Sequence, residues 1–144
     1  MSNSVYDFFF KRLDAMQPLS KGLDAYAARQ KTYAANIANS ETPGYGAKRV
    51  EFEGELRKAI STRRMQLSRT QQEHIPVAGG RDRMERLQPE VVTSRAEMIN
   101  GVNNVDIERE MSGMATNQIQ FATASKVLAI RYRMLRSSII GRSM

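Results

Sequence analysis

The sequence predicts an all-α protein, an elongated antiparallel helical hairpin or coiled coil whose N- and C-terminal helices enclose a short irregular middle segment. Apolar residues recur at alternating spacings of four and three near both ends of the 144-residue chain. Prolines and paired glycines fall between these ends. We expect three segments: N-terminal helices over 1–45, an irregular middle with a short helix over 46–102, and a long C-terminal helix over 103–144.

The N-terminal segment is predicted to contain two helices that meet at Gln17-Pro18. Proline suits the first turn of a helix and disrupts an interior, so a new helix should begin there. The first helix, about 4–16, would bury Val5, Phe9, Leu13 and Met16. The second would run from Pro18 to near Ala38.

The second helix carries a regular apolar seam, with one polar position. Its members are spaced 4, 3, 4, 3 and 4 residues apart, which is the a/d pattern of a coiled coil. They are Leu19, Leu23, Tyr26, Gln30, Tyr33 and Ile37.

The stretch Thr42-Pro43-Gly44-Tyr45 predicts an abrupt stop and turn. Pro43 disfavours helical geometry at Thr42, and Pro-Gly fits a type II turn in which glycine takes a positive φ. Asn39 can adopt the left-handed conformation at the helix end, and its side chain can satisfy nearby backbone groups. We expect the Tyr45 ring to lie back on the helix and its hydroxyl to find a hydrogen-bond partner.

The middle segment is predicted to be mostly loop. The stretch RVEFEGELRKAI can place Phe52, Leu56 and Ile60 on one face of a short helix. The remainder, with two prolines, Gly79-Gly80 and dense charge, is read as loop, with a hairpin or a short helix as alternatives. We expect this segment to contribute little core.

The C-terminal segment predicts one continuous helix over about 104–140. Asn103 or Asn104 is the expected N-cap, and Asp106, which we count with them as a cap residue, lies in the first turns with two glutamates. The later charges are all basic, a polarity that complements the helix dipole. The seam keeps the 4–3 spacing at Ile107, Met111, Met114, Gln118, Phe121, Ser125, Leu128, Tyr132, Leu135 and Ile139.

The two polar seam positions, Gln30 and Gln118, leave two alternatives open. Their side chains either meet across the seam and fix its register, or point to solvent. Two seams of this length need apolar partners, and apolar surface left over after they pair marks an association site.

Composition excludes several classes of function. The chain has no cysteine, which removes disulfides, thiolate zinc sites and a thiol nucleophile. A single histidine, His74, makes a Ser–His arrangement or a histidine metal site improbable, so we expect no enzyme activity, no cofactor and no metal. The net charge of +7 raises nucleic acid as a partner, but its excess is spread at +2, +2 and +3 over residues 1–40, 41–100 and 101–144. No apolar run is long enough to span a membrane.

Two stretches carry a family resemblance. NIANSETPGYGAKRVEF and NNVDIEREMSGMATNQIQF closely resemble motifs of the bacterial flagellar axial proteins, and among them the small B-type proximal rod subunits. The matching positions are Asn36, Asn39, Thr42, Pro43, Gly44 and Tyr45 in the first stretch, and Asn103, Asn104, Val105, Asp106, Glu110 and Met111 in the second. The resemblance covers about residues 18–56 and 102–140.

The resemblance implies a structural subunit that self-assembles into the proximal rod of the flagellar basal body, which crosses the periplasm. It implies export through the flagellar type III apparatus without a cleaved signal peptide. Implied partners are like subunits, other rod proteins, a basal-body adaptor protein and the export gate. The alternatives are a C-type rod subunit and a basic helical nucleic-acid-binding protein.

Overall fold

The computed structural model describes residues 16–64, 84–94 and 103–141. Its elements, in chain order, are helix α1 (Gln17–Ala38), strand β1 (Lys48–Glu51), helix α2 (Glu53–Arg64), strand β2 (Glu90–Thr93) and helix α3 (Ile107–Ile140). The prediction of a mostly α-helical hairpin is confirmed, because α1 and α3 pack against each other and the sheet has two short strands. The predicted helix over 4–16 lies outside the described residues apart from Met16, which is buried.

Helix α1 begins at Gln17-Pro18, as predicted, and ends just before the predicted turn. Pro18 occupies its first turn, where a missing backbone N–H costs nothing. The prediction of a left-handed Asn39 is wrong, since this C-cap residue has φ −108° and ψ 16°. Its side-chain amide donates to the Ala35 carbonyl (2.8 Å), and its backbone N–H bonds carbonyls of the same turn, so a left-handed residue is not needed to satisfy the helix end.

The predicted turn after α1 is confirmed. Gly44 has φ +73°, and the Tyr45 backbone N–H donates to the Thr42 carbonyl at 3.2 Å. A positive φ at the third residue, after proline at the second, is the geometry of a type II turn. The chain therefore reverses within four residues and runs directly into β1.

Strands β1 and β2 form an antiparallel pair joined by a long connection. Lys48 lies opposite Thr93, and Glu51 lies opposite Glu90. The other edge of β1 faces α1: Lys48 bonds the Asn36 side chain through both its N–H and its C=O, and the Val50 carbonyl accepts from Arg29. Side chains of α1 therefore substitute for a third strand.

The middle segment supplies most of the described apolar core, so the expectation that it contributes little is wrong. The buried cluster joins Ala25 of α1 to five residues of the middle segment. Those five are Val50, Phe52, Ala59, Met84 and Leu87. The short helix expected over 49–60 is present only from Glu53, as α2, with Leu56 and Ile60 packed against the cluster, whereas residues 49–51 form part of β1 and Phe52 precedes the helix. The sheet and α2 cover one side of α1, so a few large side chains are sufficient to form this apolar core.

Helix α3 has 34 residues, about 51 Å at 1.5 Å per residue. Its N-cap is Asp106, whose carboxylate accepts from the Arg109 backbone N–H at 3.1 Å, so of the three predicted cap residues Asp106 is confirmed and the preferred cap at Asn103 or Asn104 is wrong. It ends at Gly141, which has φ +69°. Its last turn contains no basic residue. Among the described residues, therefore, only the acidic residues of the first turn complement the helix dipole as expected.

The contacts between α1 and α3 define an antiparallel pairing. Asn36, near the end of α1, bonds Glu110 near the start of α3. Farther along, Gln30 bonds Asn117. Residue numbers thus rise on one helix as they fall on the other, as a hairpin requires.

Candidate assembly site

Asn36 is the centre of a polar junction at the turn end of the hairpin. Its side chain has no exposed surface and makes four hydrogen bonds. The amide nitrogen donates to the Lys48 carbonyl (2.7 Å) and to a Glu110 carboxylate oxygen (2.8 Å). The amide oxygen accepts from the Lys48 N–H (2.9 Å) and the Tyr45 hydroxyl (3.2 Å). One asparagine therefore joins α1, the turn, β1 and α3 with every polar position used.

Asn103 and Asn104 complete this junction from the α3 side. The Asn103 amide nitrogen donates to the carbonyls of Asn39, Ser40 and Thr42, and its oxygen accepts from the Val105 N–H. The Asn104 oxygen accepts from the Ala47 N–H at 2.6 Å, and its nitrogen donates to the Ser94 carbonyl at 3.3 Å. Asn103 therefore binds the backbone of the turn, and Asn104 binds the backbone of the residues that flank β1 and β2. We call Asn36, Asn39, Asn103 and Asn104 the asparagine junction.

The Tyr45 hydroxyl donates to Asn36 of this junction, which is the hydrogen-bond partner that the sequence predicted it would find. Burial raises the pKa of Tyr45 above 10.0, and the negative charge of nearby Glu110 raises that pKa further. The neutral phenol can therefore donate to Asn36 throughout the physiological range. The Lys48 ammonium lies 5.6 Å from the centroid of the ring, within the range of a cation–π interaction.

An ion pair connects α1 to the start of α2. Arg29 bonds the Glu53 carboxylate and also reaches the Val50 carbonyl at 3.4 Å. Burial by itself would raise the pKa of Glu53, but the Arg29 hydrogen bond and charge, with backbone N–H donors, hold that pKa below 4.5. The pair connects α1 to the strand and helix that cover it.

The helix–helix contact farther from the turn is polar at its centre. The Asn117 amide nitrogen donates to the Tyr26 carbonyl (2.9 Å) and to the Gln30 side-chain oxygen (3.0 Å). Its own oxygen is buried and unpaired among the described residues. Gln118 is exposed, so Gln30 meets the residue before it, and the alternative in which Gln30 meets Gln118 is wrong.

Gly113 allows α1 and α3 to approach closely. A Cβ atom at this position would lie 2.8 Å from the Tyr33 ring, a distance that real Cβ contacts essentially never show. The ring therefore occupies the space that a side chain would fill. We call Tyr33, Gln30, Gly113 and Asn117 the polar seam.

The structure divides the predicted assembly seam. All six predicted positions on α1 are half-buried: Leu19, Leu23, Tyr26, Gln30, Tyr33 and Ile37. On α3, Met114 and Leu128 are half-buried and Leu135 is buried. The remaining predicted positions on α3 are exposed: Ile107, Met111, Gln118, Phe121, Ser125, Tyr132 and Ile139.

Sequence reasoning missed the residues through which α3 meets α1. Glu110, Gly113 and Asn117 are spaced by three and four, one position before the predicted Met111, Met114 and Gln118. The apolar pattern identified the larger side chains, whereas glycine and asparagine occupy the contact. A glycine and an asparagine four residues apart in a long helix were the available signal, because such residues suit a close, hydrogen-bonded approach.

The described residues contain no obvious chemistry of an active site. A groove of about 850 Å³ between α1, β1 and α3 is lined by side chains of both charges, among them Arg29, Lys48, Asp106 and Arg109. In the described ranges, no group of three histidine, cysteine, aspartate or glutamate residues is placed to hold a metal ion. His74 lies outside those ranges. No described helix has both the length and the apolar character needed to cross a bilayer.

Comparison with known proteins identifies similar sequences. The family model described as flagella basal body rod protein matches residues 16–45, which contain α1 and the turn. Flagellar basal body rod protein FlgB of Escherichia coli (strain K12) is 32% identical over 124 residues, 82% of this chain and 88% of the relative. FlgB of Salmonella typhimurium is 31% identical over 136 residues (90% and 96%), and FlgB of Bacillus subtilis is 30% identical over 126 residues (88% and 93%).

Proposed function

The chain belongs to the flagellar basal body rod protein family, and from this premise we propose that it is a structural subunit that assembles with like subunits in the proximal rod. The observation that carries the proposal is the apolar surface of α3. Ten large hydrophobic side chains on this one helix are more than a third exposed. They are Ile107, Met111, Ile119, Phe121, Val127, Ile130, Tyr132, Met134, Ile139 and Ile140.

This surface is too extensive for a protein that acts as a monomer. Single exposed apolar residues are ordinary, whereas a nearly continuous set along one helix indicates an association surface. Burying the exposed half of one such side chain stabilises an assembly by about 1 kcal/mol. Ten of them supply on the order of 10 kcal/mol before the entropy of association is subtracted.

The asparagine junction has a different part in this proposal. Its hydrogen bonds are satisfied within the chain, and it holds α1 against α3 at a defined register. The junction therefore orients the α3 surface, and sister subunits cover that surface. The predicted seam residues that are exposed on α3, such as Ile107 and Tyr132, belong to this intersubunit surface.

The proposed neighbours are other rod proteins, a basal-body adaptor protein and the export gate. The proposed route is export through the flagellar type III apparatus without signal cleavage, to a rod that crosses the periplasm. We propose no catalytic role, since the relatives carry the names of rod proteins.

Imaging of purified basal bodies tests the proposal. A strain lacking the chain should lose motility and the proximal rod, and the wild-type chain should restore both. Density for the hairpin should then be found in the rod. Intact basal bodies without this chain, or micromolar salt-dependent DNA binding by the purified protein, would contradict the proposal.

A seam variant gives a second test. Leu128→Asp places a charge at a half-buried position of α3 and should abolish incorporation into the rod. Ser20 is exposed on α1, and Asp24, one turn later, is an exposed aspartate on the same helix. Ser20→Asp introduces the same charge at such an exposed position, so this matched control should leave motility unchanged. Motility of the Leu128→Asp strain at the wild-type level would count against assembly through α3.

A further inference from the structure

Helix α3 presents two similar apolar pairs on different sides. Ile107 and Met111, the leading pair, are 43% and 54% exposed. Ile130 and Met134, the trailing pair, are 47% and 49% exposed. Both pairs have i, i+4 spacing, which aligns two side chains along one strip of a helix. At about 100° per residue the pairs are rotated by about 140° around the axis, one on each side of the face that Asn117 turns toward α1.

The two pairs have charges of opposite sign. Arg109 lies between the members of the leading pair in sequence, but it is on the opposite side of the helix from that pair. Glu108 lies beside the leading pair, and Arg131 and Arg133 lie on opposite sides of the trailing pair. All three are exposed, and none forms an ion pair with another described residue. The helix dipole does not account for the arginines, because they precede the last turn, which has no basic residue.

We propose that the leading pair of one copy packs on the trailing pair of the next copy, with Glu108 beside Arg133 across the contact. This inference rests on the proposed function and specifies which surfaces of α3 meet. Corresponding residues are 23 positions apart, so neighbouring copies would be offset by about 35 Å along α3. Because the two surfaces differ, the contact is heterologous and repeats without closing, as an open assembly requires.

A second copy of this chain is the occupant that the charges favour. The acidic and basic surfaces are about 35 Å apart along a rigid helix, several Debye lengths at physiological ionic strength, so they cannot neutralise each other within one chain. The same chain offers matched apolar spacing with the opposite charge. Rim charges of this kind select the register of a contact more than they strengthen it.

Cysteine cross-linking tests the register directly, because the natural chain has no cysteine. A chain carrying Ile107→Cys and Ile130→Cys should form disulfides between neighbouring copies in purified basal bodies, giving a ladder beyond the dimer under non-reducing conditions. The matched control pairs Ile107→Cys with Ile119→Cys. Ile119 is 69% exposed but lies 11 residues from the predicted partner position, so this chain should not form a ladder.

Three outcomes would overturn the inference. Cross-linking that stops at dimers would indicate a closed antiparallel pair. Equal ladders from the test and control chains would indicate contacts without a register. No cross-link from a chain that is present in basal bodies would mean that the two pairs do not meet. Absence of the wild-type chain from basal bodies would instead contradict the proposed function.

A charge exchange tests the ionic part of the contact. Glu108→Arg and Arg133→Glu should each reduce incorporation by about fivefold, since each places like charges across the contact. The double variant should recover most of that loss. Control chains with Arg57→Glu, at an exposed position on α2, should incorporate normally. Failure of the double variant to recover, with both single variants folded, would refute the pairing.

Discussion

Replacing Asn36 by alanine should destabilise the free protein more than any other single change at the turn end. The substitution removes four hydrogen bonds, two donated and two accepted. Each contributes about 0.5–1.5 kcal/mol net, and a buried partner left unpaired costs more. The Lys48 backbone and the Glu110 carboxylate can recover some hydration, because neither residue is fully buried. We therefore expect a loss of about 3 kcal/mol.

Urea unfolding followed by far-UV circular dichroism measures this loss at concentrations where the chain is monomeric. A loss of this size is a large part of the 5–15 kcal/mol typical of small domains, so the midpoint should move clearly. Asn39→Ala is the matched control. Asn39 is the same residue type three positions later, and its side chain donates to Ala35 and accepts from Thr42. It should cost about 1 kcal/mol.

The result that would refute the reasoning is a small, equal effect of the two substitutions. If Asn36→Ala cost no more than Asn39→Ala, the buried amide would not hold the hairpin together. The junction would then be a consequence of the packing of α1 on α3. A larger loss in Asn36→Ala with an unchanged denaturant slope would locate the effect in stability.

Three further changes have expected outcomes. Gly113→Ala should destabilise the protein by about 1–3 kcal/mol in thermal or urea unfolding, because the new methyl group would displace the Tyr33 ring. The control Gly22→Ala has nothing within 4 Å of the new methyl group and should stabilise α1 by up to about 1 kcal/mol. A change in unfolding free energy of the same sign in both variants would contradict this prediction. Gly44→Val should misplace the turn at φ +73° and cost stability and motility, whereas unchanged unfolding would dismiss the turn as a determinant. The Arg29 partner lowers the pKa of Glu53, so the ion pair contributes to stability above pH 4.5 and this contribution is lost as the pH falls through the lower pKa of the folded state. Glu53→Gln should therefore make the melting temperature less dependent on acidic pH. The stability involved is less than about 1 kcal/mol, because the carboxylate is exposed.

The sequence predicted the parts of the fold that depend on local rules. Pro18 marked the start of α1, and Thr42-Pro43-Gly44-Tyr45 marked its stop and the type II turn. Those features are determined by backbone sterics within a few residues, so the neighbouring residues are enough to predict them. The continuous α3 followed from its periodicity and from the absence of a helix breaker.

Features that depend on distant partners could not be predicted in the same way. Val50 and Met84 entered the core because β1 and β2 pair across a long connection, a contact that no local pattern contains. Asn103 was assigned to a helix cap, the commonest use of an asparagine before a helix, but its amide binds the carbonyls that follow α1. In the first half of α3 the predicted register was displaced by one position, because heptad counting follows large apolar residues, whereas Leu128 and Leu135 were placed correctly.

This displacement explains how one helix can serve two sets of neighbours. The face of α3 toward α1 uses Gly113 and Asn117, which contribute close approach and hydrogen bonds but little apolar burial. The large side chains that a monomeric coiled coil would place in its seam, such as Met111 and Tyr132, remain exposed. Hydrogen bonds hold the hairpin in register while most of the hydrophobic free energy of α3 is left for assembly. Helical content measured by circular dichroism should therefore rise when the free chain assembles, because the ends of α3 fray while its apolar surface is uncovered, and equal helical content in the folded monomer and the assembly would contradict this division.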